Sequence, residues 1–203
     1  MDPEHVGFRS LRVINEDTVA PGRGFGEHPH RSMEILSYVV EGELEHKDSL
    51  GNGRVIKAGE FQYMSAGSGV LHSEFNPQPD KSTHFLQIWI QPRNQGGEPR
   101  YQDFDTMEKR VKDGLFLLAS PDGEAGSAAI RQDAQIHFGD LAAGSTIEVS
   151  ADEKYPFAWI QVIKGGLKIE STELAAGDGA AIEGSAFAIE GAEDAEFILF
   201  RLS

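Results

Sequence analysis

Apolar residues in this chain gather in short runs, alternate with polar ones within many of those runs, and are parted by clusters of Gly, Pro, Asn, Asp and Ser. That rhythm predicts β-strands joined by tight turns, because successive strand side chains point to opposite faces. "MEILSYVV" and "ELEHKDS" flank Glu41-Gly42, a hairpin turn. "LGNG" turns the chain into "RVIKAGEFQYM", and "SAGSG" turns it into "VLHSEF". After the loop "NPQPDKS" comes "THFLQIWIQP", the strongest strand of all. "PRNQGGEPRYQDF" reads as loop and "DTMEKRV" as a helical turn, with Met107 and Val111 four apart. From Gly114 the strand cadence resumes, through "GLFLLASP", "AIRQDAQIHFGDL", "STIEVS", "FAWIQVIKGGLKIE" and "AFAIEGAEDAEFILFRL".

The second half echoes the first. A strand–"KGG"–strand hairpin answers strand–"EG"–strand, and "ELAAGDGAAI" answers "VIKAGEFQYM". The expected architecture is all-β, with two β-domains of similar plan, each an antiparallel sandwich or small barrel, packed together. The boundaries are 1–104 for the first domain, 105–113 for a linker and 114–203 for the second.

Composition narrows the function classes. The 203 residues are 39% apolar, enough for two small cores, and the 23 glycines fit many turns. A net charge of −15, from 33 acidic and 18 basic residues, repels phosphate backbones and anionic lipid. Direct nucleic-acid or membrane binding is therefore not expected. There is no cysteine, so disulfides, thiolate metal sites and thiol nucleophiles are excluded. The opening "MDPEHVGFRS" lacks the basic start and apolar run of a signal peptide, and no apolar run reaches the ~18 residues that would cross a bilayer. The expectation is a soluble, cytoplasmic protein, for which a monomer is a natural state.

The chemistry concentrates in "GFGEHPHRSMEI". His28 and His30 share a face if the segment is extended, and Pro29 favours extension of His28. Farther on, "LHSEFN" places His72 and Glu74 at the same i, i+2 spacing. If neighbouring strands carry both pairs, three imidazoles and one carboxylate converge, a set suited to one divalent transition metal with open positions. A single HxH is common on surfaces. The second pair, on a later strand, makes a metal site the better reading.

Gly22-x5-His28-x-His30-x3-Glu34 followed by Gly42 resembles the first motif of the cupin superfamily. Gly59-x5-Ser65-x-Gly67 with His72-x3-Asn76 resembles the second, with Ser65 where proline is usual and two extra residues before the histidine. "SLRVINEDTVAPGRGFGEHPHRSMEILSYVVEGELEHKDS" and "GEFQYMSAGSGVLHSEFNP" resemble the pirin family more closely. The likeness covers nearly the whole chain and is strongest over residues 7–104.

That resemblance implies two cupin domains with a single metal in the first. It implies Fe(II), held by His28, His30, His72 and Glu74, although such ligands accept other divalent metals. Germin-like cupins would take the carboxylate from the position of Glu34, and alternation alone does not exclude it. The resemblance also implies a segment ahead of "DPEHVGFRSLRV" with which the sequence does not open: either the start is late or the segment is absent, and in the second case an edge strand of the first sandwich is expected to be missing.

Functionally it implies a quercetin 2,3-dioxygenase-like oxidoreductase acting on a flavonol-like aromatic substrate and O2, with Glu74 as ligand and catalytic base. The alternative is a non-enzymatic, metal-bearing interaction module with a protein partner, as in eukaryotic pirins. A sugar-phosphate isomerase is the weakest reading, since Arg31 is the lone basic residue in "GFGEHPHRSMEI" and "LHSEFN". Of the other histidines, His46 alternates with Leu44 and Asp48 and is expected inward in a structural role, His84 at the core or rim, and His5 and His137 without function. The second domain, with one histidine, is expected to lack a metal.

Overall fold

The computed structural model describes residues 7–105 and 109–203. These form two compact units, divided between Glu108 and Lys109, with the short segment Phe8–Ser10 belonging to the second. No helix among the described residues is long and apolar enough to cross a membrane.

Among the described residues the first unit contains strands β1 (Leu11–Val19), β2 (Gly24–His30), β3 (Glu34–Glu41), β4 (Glu43–Asp48) and β5 (Gly53–Lys57), then β6 (Glu60–Ser65), β7 (Val70–Phe75), β8 (Thr83–Ile90) and β9 (Arg100–Asp105). They build two antiparallel sheets, ordered β1-β8-β3-β6-β9 and β2-β7-β4-β5. Alternation puts one face of each sheet inward. Val19, Val39 and Phe85 of the larger sheet meet Leu44 and Ile56 of the smaller. Farther along, Ile35, Met64 and Trp89 meet Val70.

The second unit contains β10 (Gly114–Ser120), β11 (Ala128–Ala129), β12 (Ala134–Leu141), β13 (Thr146–Val149) and β14 (Phe157–Lys164), then β15 (Gly166–Ile169), β16 (Thr172–Ala175), β17 (Gly179–Glu183), β18 (Phe187–Gly191) and β19 (Ala195–Leu202). Its sheets run β11-β10-β12-β19-β14-β17 and β13-β18-β15-β16. The order β12-β19-β14-β17 repeats β1-β8-β3-β6, and β13-β18-β15-β16 repeats β2-β7-β4-β5. Both units are cupin sandwiches, so the echo in the sequence is a repeat of topology.

The hairpin glycines show why the echo is physical. Gly42, between β3 and β4, has φ of 82°, and Gly165, between β14 and β15, has φ of 71°. A Cβ at Gly42 would lie 2.8 Å from the Ser82 carbonyl oxygen, and one at Gly165 would lie 2.0 Å from that of Asp194. Only glycine tolerates both the left-handed backbone and the close approach.

Two segments differ from expectation. The end of "PRNQGGEPRYQDF" is strand β9, paired with β6, because its prolines and glycines stop at Pro99 and leave "RYQDFD" free to pair. "AIRQDAQIHFGDL" splits into β11 and β12 around a bend at 131–133. Residues 106–108, the middle of the expected helical turn in "DTMEKRV", fall outside the described residues.

Candidate metal centre

The site forms where β2 and β7 pair. His28 lies opposite His72, and His30 opposite Val70. The register slips between Phe25 and His28, so one extra residue sits on β2. This bulge lets Phe25, paired with Glu74, join His28 and His30 on the inward face despite its odd number. On β7 the burial alternates, with Val70, His72 and Glu74 buried and Leu71 and Phe75 exposed.

Three imidazoles meet as a result. Ring centroids of His28 and His72 lie 4.4 Å apart, those of His28 and His30 4.8 Å, and those of His30 and His72 4.8 Å. One nitrogen of each lies within a 4.8 Å cluster that could hold a metal ion. His30 Nε2 and His72 Nε2 are buried without a hydrogen-bond partner. Buried polar atoms are nearly always paired, and two converging orphans of one type fit a divalent cation.

Burial keeps the His30 and His72 rings neutral, as metal ligation requires. Desolvation, helped by the His28 ring, lowers the His30 pKa to about 4. Desolvation and then the neighbouring imidazoles lower that of His72 to about 3. His28 Nδ1 lies 2.8 Å from the Gly26 carbonyl oxygen, which can only accept. The proton therefore sits on Nδ1 and the Nε2 lone pair is free.

Glu74 is fully buried beside this cluster and belongs to a second compact group, with His46 and His72. It accepts hydrogen bonds from Ser37 Oγ, at 3.2 Å, and from Gln87 Nε2. Trp89 Nε1 donates to Gln87 Oε1 at 3.0 Å, which turns the amide so that its NH2 faces Glu74. Desolvation raises the Glu74 pKa to about 7, against the lowering effect of the Ser37 and Gln87 bonds. A carboxyl group balanced near neutrality suits proton transfer.

Glu34 lies elsewhere. Its carboxylate accepts from Ser65 Oγ at 2.7 Å and from the Tyr63 hydroxyl. On β3 the inward residue is Ser37, which reaches Glu74, and Glu34 is out of phase with it. Residues 31–33, with Ser32 at φ 50°, break the strand between His30 and Glu34 and reset the alternation. Parity counted across that turn carries no meaning.

Ser37, Gln62 and Gln87 carried no expectation from the sequence, whereas His46 was expected inward. His46 is inward and fully buried, with Asp48 on one side and Gln62 and His72 on the other. "ELEHKD" carried the signal as an HxD pair on the inward phase of β4. His84 is a rim residue, its Nε2 2.7 Å from Glu16. His137, in the second unit, has a buried Nδ1 without a partner. That unit has a cavity of about 390 Å3 lined by Asp152, Tyr155, Phe157, Ile182, Phe187 and Arg201 among others, and no imidazole.

Comparison with known proteins gives this geometry a context. Residues 1–90 match the pirin family and residues 117–202 match the quercetinase C-terminal cupin domain. The chain is 43% identical over 206 residues to quercetin 2,3-dioxygenase of Escherichia coli K12, covering 99% of this chain and 86% of that protein. It is 39% identical to a pirin-like protein of Caulobacter vibrioides, over 98% of this chain and 85% of that protein. A solved structure of the bacterial pirin YhhW from Escherichia coli in complex with nickel(II) superposes with a TM-score of 0.93 at 41% identity, covering 100% of this chain and 86% of that one. With relatives this similar over nearly its whole length, the chain belongs to the pirin family.

Proposed function

We propose that this protein is a metal-dependent cupin dioxygenase that opens a flavonol such as quercetin with O2, using one divalent metal, Fe(II), in its first cupin unit. The observation that carries this reading is the cluster of three imidazoles, two with orphaned Nε2 atoms, beside the buried Glu74 carboxyl group. The relatives named quercetin 2,3-dioxygenase support the reaction class, and the nickel-bound relative supports a divalent ion.

His28, His30 and His72 would hold the metal, with Glu74 as the carboxylate of the set. When bound, the ion supplies Lewis acidity and a template for a phenolate and dioxygen. The chain's own groups do the rest. Phe25 stands half-exposed at the mouth, its ring 6.4 Å from Phe85, and offers an apolar surface to a planar substrate. Glu74 takes the proton of the substrate hydroxyl. Ser37 and Gln87 keep its carboxylate oriented during that transfer, and the Trp89 indole, edge-on to His30 at 5.0 Å, shields the imidazoles from water.

The test is quercetin-dependent oxygen uptake by Fe(II)-loaded protein, with His72→Ala as the control for flavonol autoxidation. Uptake that disappears in the variant is the expected result. Uptake no greater than the variant's, with metal bound in the unsubstituted protein, overturns the dioxygenase reading and puts a metal-bearing interaction module in its place.

A further inference from the structure

Behind the imidazole cluster, on the side away from its orphaned nitrogens, the structure holds a chain of polar groups that the proposed reaction does not use. Asp48 begins it. Its Oδ1 accepts from the backbone N–H groups of Leu50, at 2.9 Å, and Asn52, at 3.0 Å. Its Oδ2 accepts from Asn52 Nδ2 at 2.8 Å and lies 3.4 Å from His46 Nε2. His46 Nδ1 then lies 3.0 Å from Gln62 Nε2 and 3.5 Å from His72 Nδ1. The Tyr101 hydroxyl is 3.3 Å from Gln62 Oε1, and the Tyr101 ring stacks on His46 with centroids 5.0 Å apart.

Donor and acceptor roles can be followed along this chain from the carboxylate. A carboxylate only accepts, so His46 must present Nε2–H to Asp48. A neutral imidazole with Nε2–H has its lone pair on Nδ1. That assignment agrees with the second neighbour, since Tyr101 donating to Gln62 Oε1 turns the Gln62 NH2 toward His46. His72 completes the chain by presenting Nδ1–H to the same His46 lone pair, which it shares with the Gln62 NH2, because a second lone pair facing the first would repel it. Its own lone pair is left on Nε2, the atom that is buried and unpartnered.

We infer that Asp48, acting through His46, is a positioning residue that locks His72 in the Nδ1–H tautomer and so keeps its Nε2 lone pair available to a metal. The inference rests on the metal-site reading for its purpose, but the tautomer belongs to the metal-free protein and is measurable there. Its logic is that of a carboxylate orienting a ligating imidazole, with one further imidazole inserted between them.

Asp48→Asn provides a directional test. The two backbone donors at Leu50 and Asn52 hold an oxygen at the Oδ1 position, so the new NH2 takes the place of Oδ2, the Asn52 side-chain amide turns its oxygen toward it, and the NH2 donates to His46 Nε2. His46 then carries its proton on Nδ1, the Gln62 amide turns its oxygen toward that proton, and His72, whose Nδ1 faces the same N–H, shifts to the Nε2–H tautomer. The measurement is the 15N chemical shifts of the His72 ring nitrogens in metal-free protein, followed by Co(II) titration monitored by its d–d absorption.

In the unsubstituted protein we expect a protonated Nδ1 and an unprotonated Nε2. In Asp48→Asn we expect the two signals to exchange character and Co(II) affinity to fall by roughly 10- to 100-fold. If Asp48→Asn fails to fold because the 48–52 turn is lost, His46→Phe retains the stack on Tyr101 and removes the acceptor. It is expected to leave His72 as a mixture of tautomers.

Nε2–H in the unsubstituted protein overturns the inference, as does a variant whose His72 shifts and Co(II) affinity do not move. Failure of the metal reading looks different: the tautomers respond as stated while the unsubstituted protein binds no Co(II).

Discussion

Where the first unit sets His72 opposite His28, the second sets Ile189 opposite Ile147. The correspondence continues position by position. His30 opposite Val70 becomes Val149 opposite Phe187, and His46 opposite Glu74 becomes Leu167 opposite Gly191. On the facing sheet, Ser37, flanked by Gln87 and Gln62, becomes Ile160, flanked by Leu199 and Ala180. One backbone plan thus carries two interiors.

In the second unit these positions merge into one apolar cluster that includes Val149, Ile160, Leu167, Ile189 and Leu199. In the first they interrupt the core, leaving Val39, Leu44 and Phe85 on one side of the polar set and Ile35, Met64 and Val70 on the other. Hydrogen-bond ladders and glycine turns are sufficient to specify the sandwich, and the inward side chains decide whether it is filled or used. Each large apolar side chain fully buried contributes about 1.5–3 kcal/mol, a contribution the first unit forgoes at every polar position in its centre.

The most forceful way to break the comparison is to truncate matched positions. Ile189→Ala is expected to cost about 2–5 kcal/mol of stability, read by denaturant unfolding, with Co(II) affinity unchanged. His72→Ala is expected to lower Co(II) affinity more than ~100-fold, because it removes a ligand rather than a group that orients one. If the two substitutions have the same effect, the units do not differ as described.

Acid sharpens the contrast within the second unit, whose lone histidine, His137, is half-buried with its Nδ1 unpartnered. Desolvation, with the nearby Arg201 charge, lowers the His137 pKa to about 4. The unfolded chain then binds a proton below about pH 6.5 that the folded chain refuses until about pH 4. Stability contributed by the neutral ring is present above pH 6.5 and is lost as pH falls through that window. His137→Leu should recover roughly 3 kcal/mol at pH 4 and change little above pH 7, judged by melting at both values.

Two smaller effects separate the faces of the first unit. Glu34→Gln should cost about 1–3 kcal/mol by weakening the Tyr63 and Ser65 bonds, and leave Co(II) affinity intact. Gln87→Leu installs the second unit's residue beside Glu74. It should weaken Co(II) binding by about tenfold, since the carboxylate loses the donor that orients it. A metal effect from Glu34→Gln, or none from Gln87→Leu, would invert the assignment of the two carboxylates.

Much of this was legible in the residues. Alternation gave β7 its inward His72 and Glu74 and β4 its inward Leu44, His46 and Asp48, because strand geometry makes facing a local property. Glycine echoes disclosed the repeat for the same local reason. The HxH and HxE pairs marked the place of the chemistry, and resemblance to the pirin family named its kind and pointed to Glu74, whereas alternation alone left Glu34 open.

The sequence by itself determined which side chains share a face within a strand, where turns must fall, and which residues are able to ligate. Only the tertiary structure decided how one strand's phase relates to the next. Ser32 in the left-handed region resets the count between His30 and Glu34, and the bulge after Phe25 resets it between Phe25 and His28. Likewise the path from Asp48 through His46 to His72 joins residues from β4 and β7 whose distance is fixed by strand pairing. The physical reason is that facing follows from bonds along the backbone, whereas register and cross-strand hydrogen bonding depend on which strands the whole fold brings side by side.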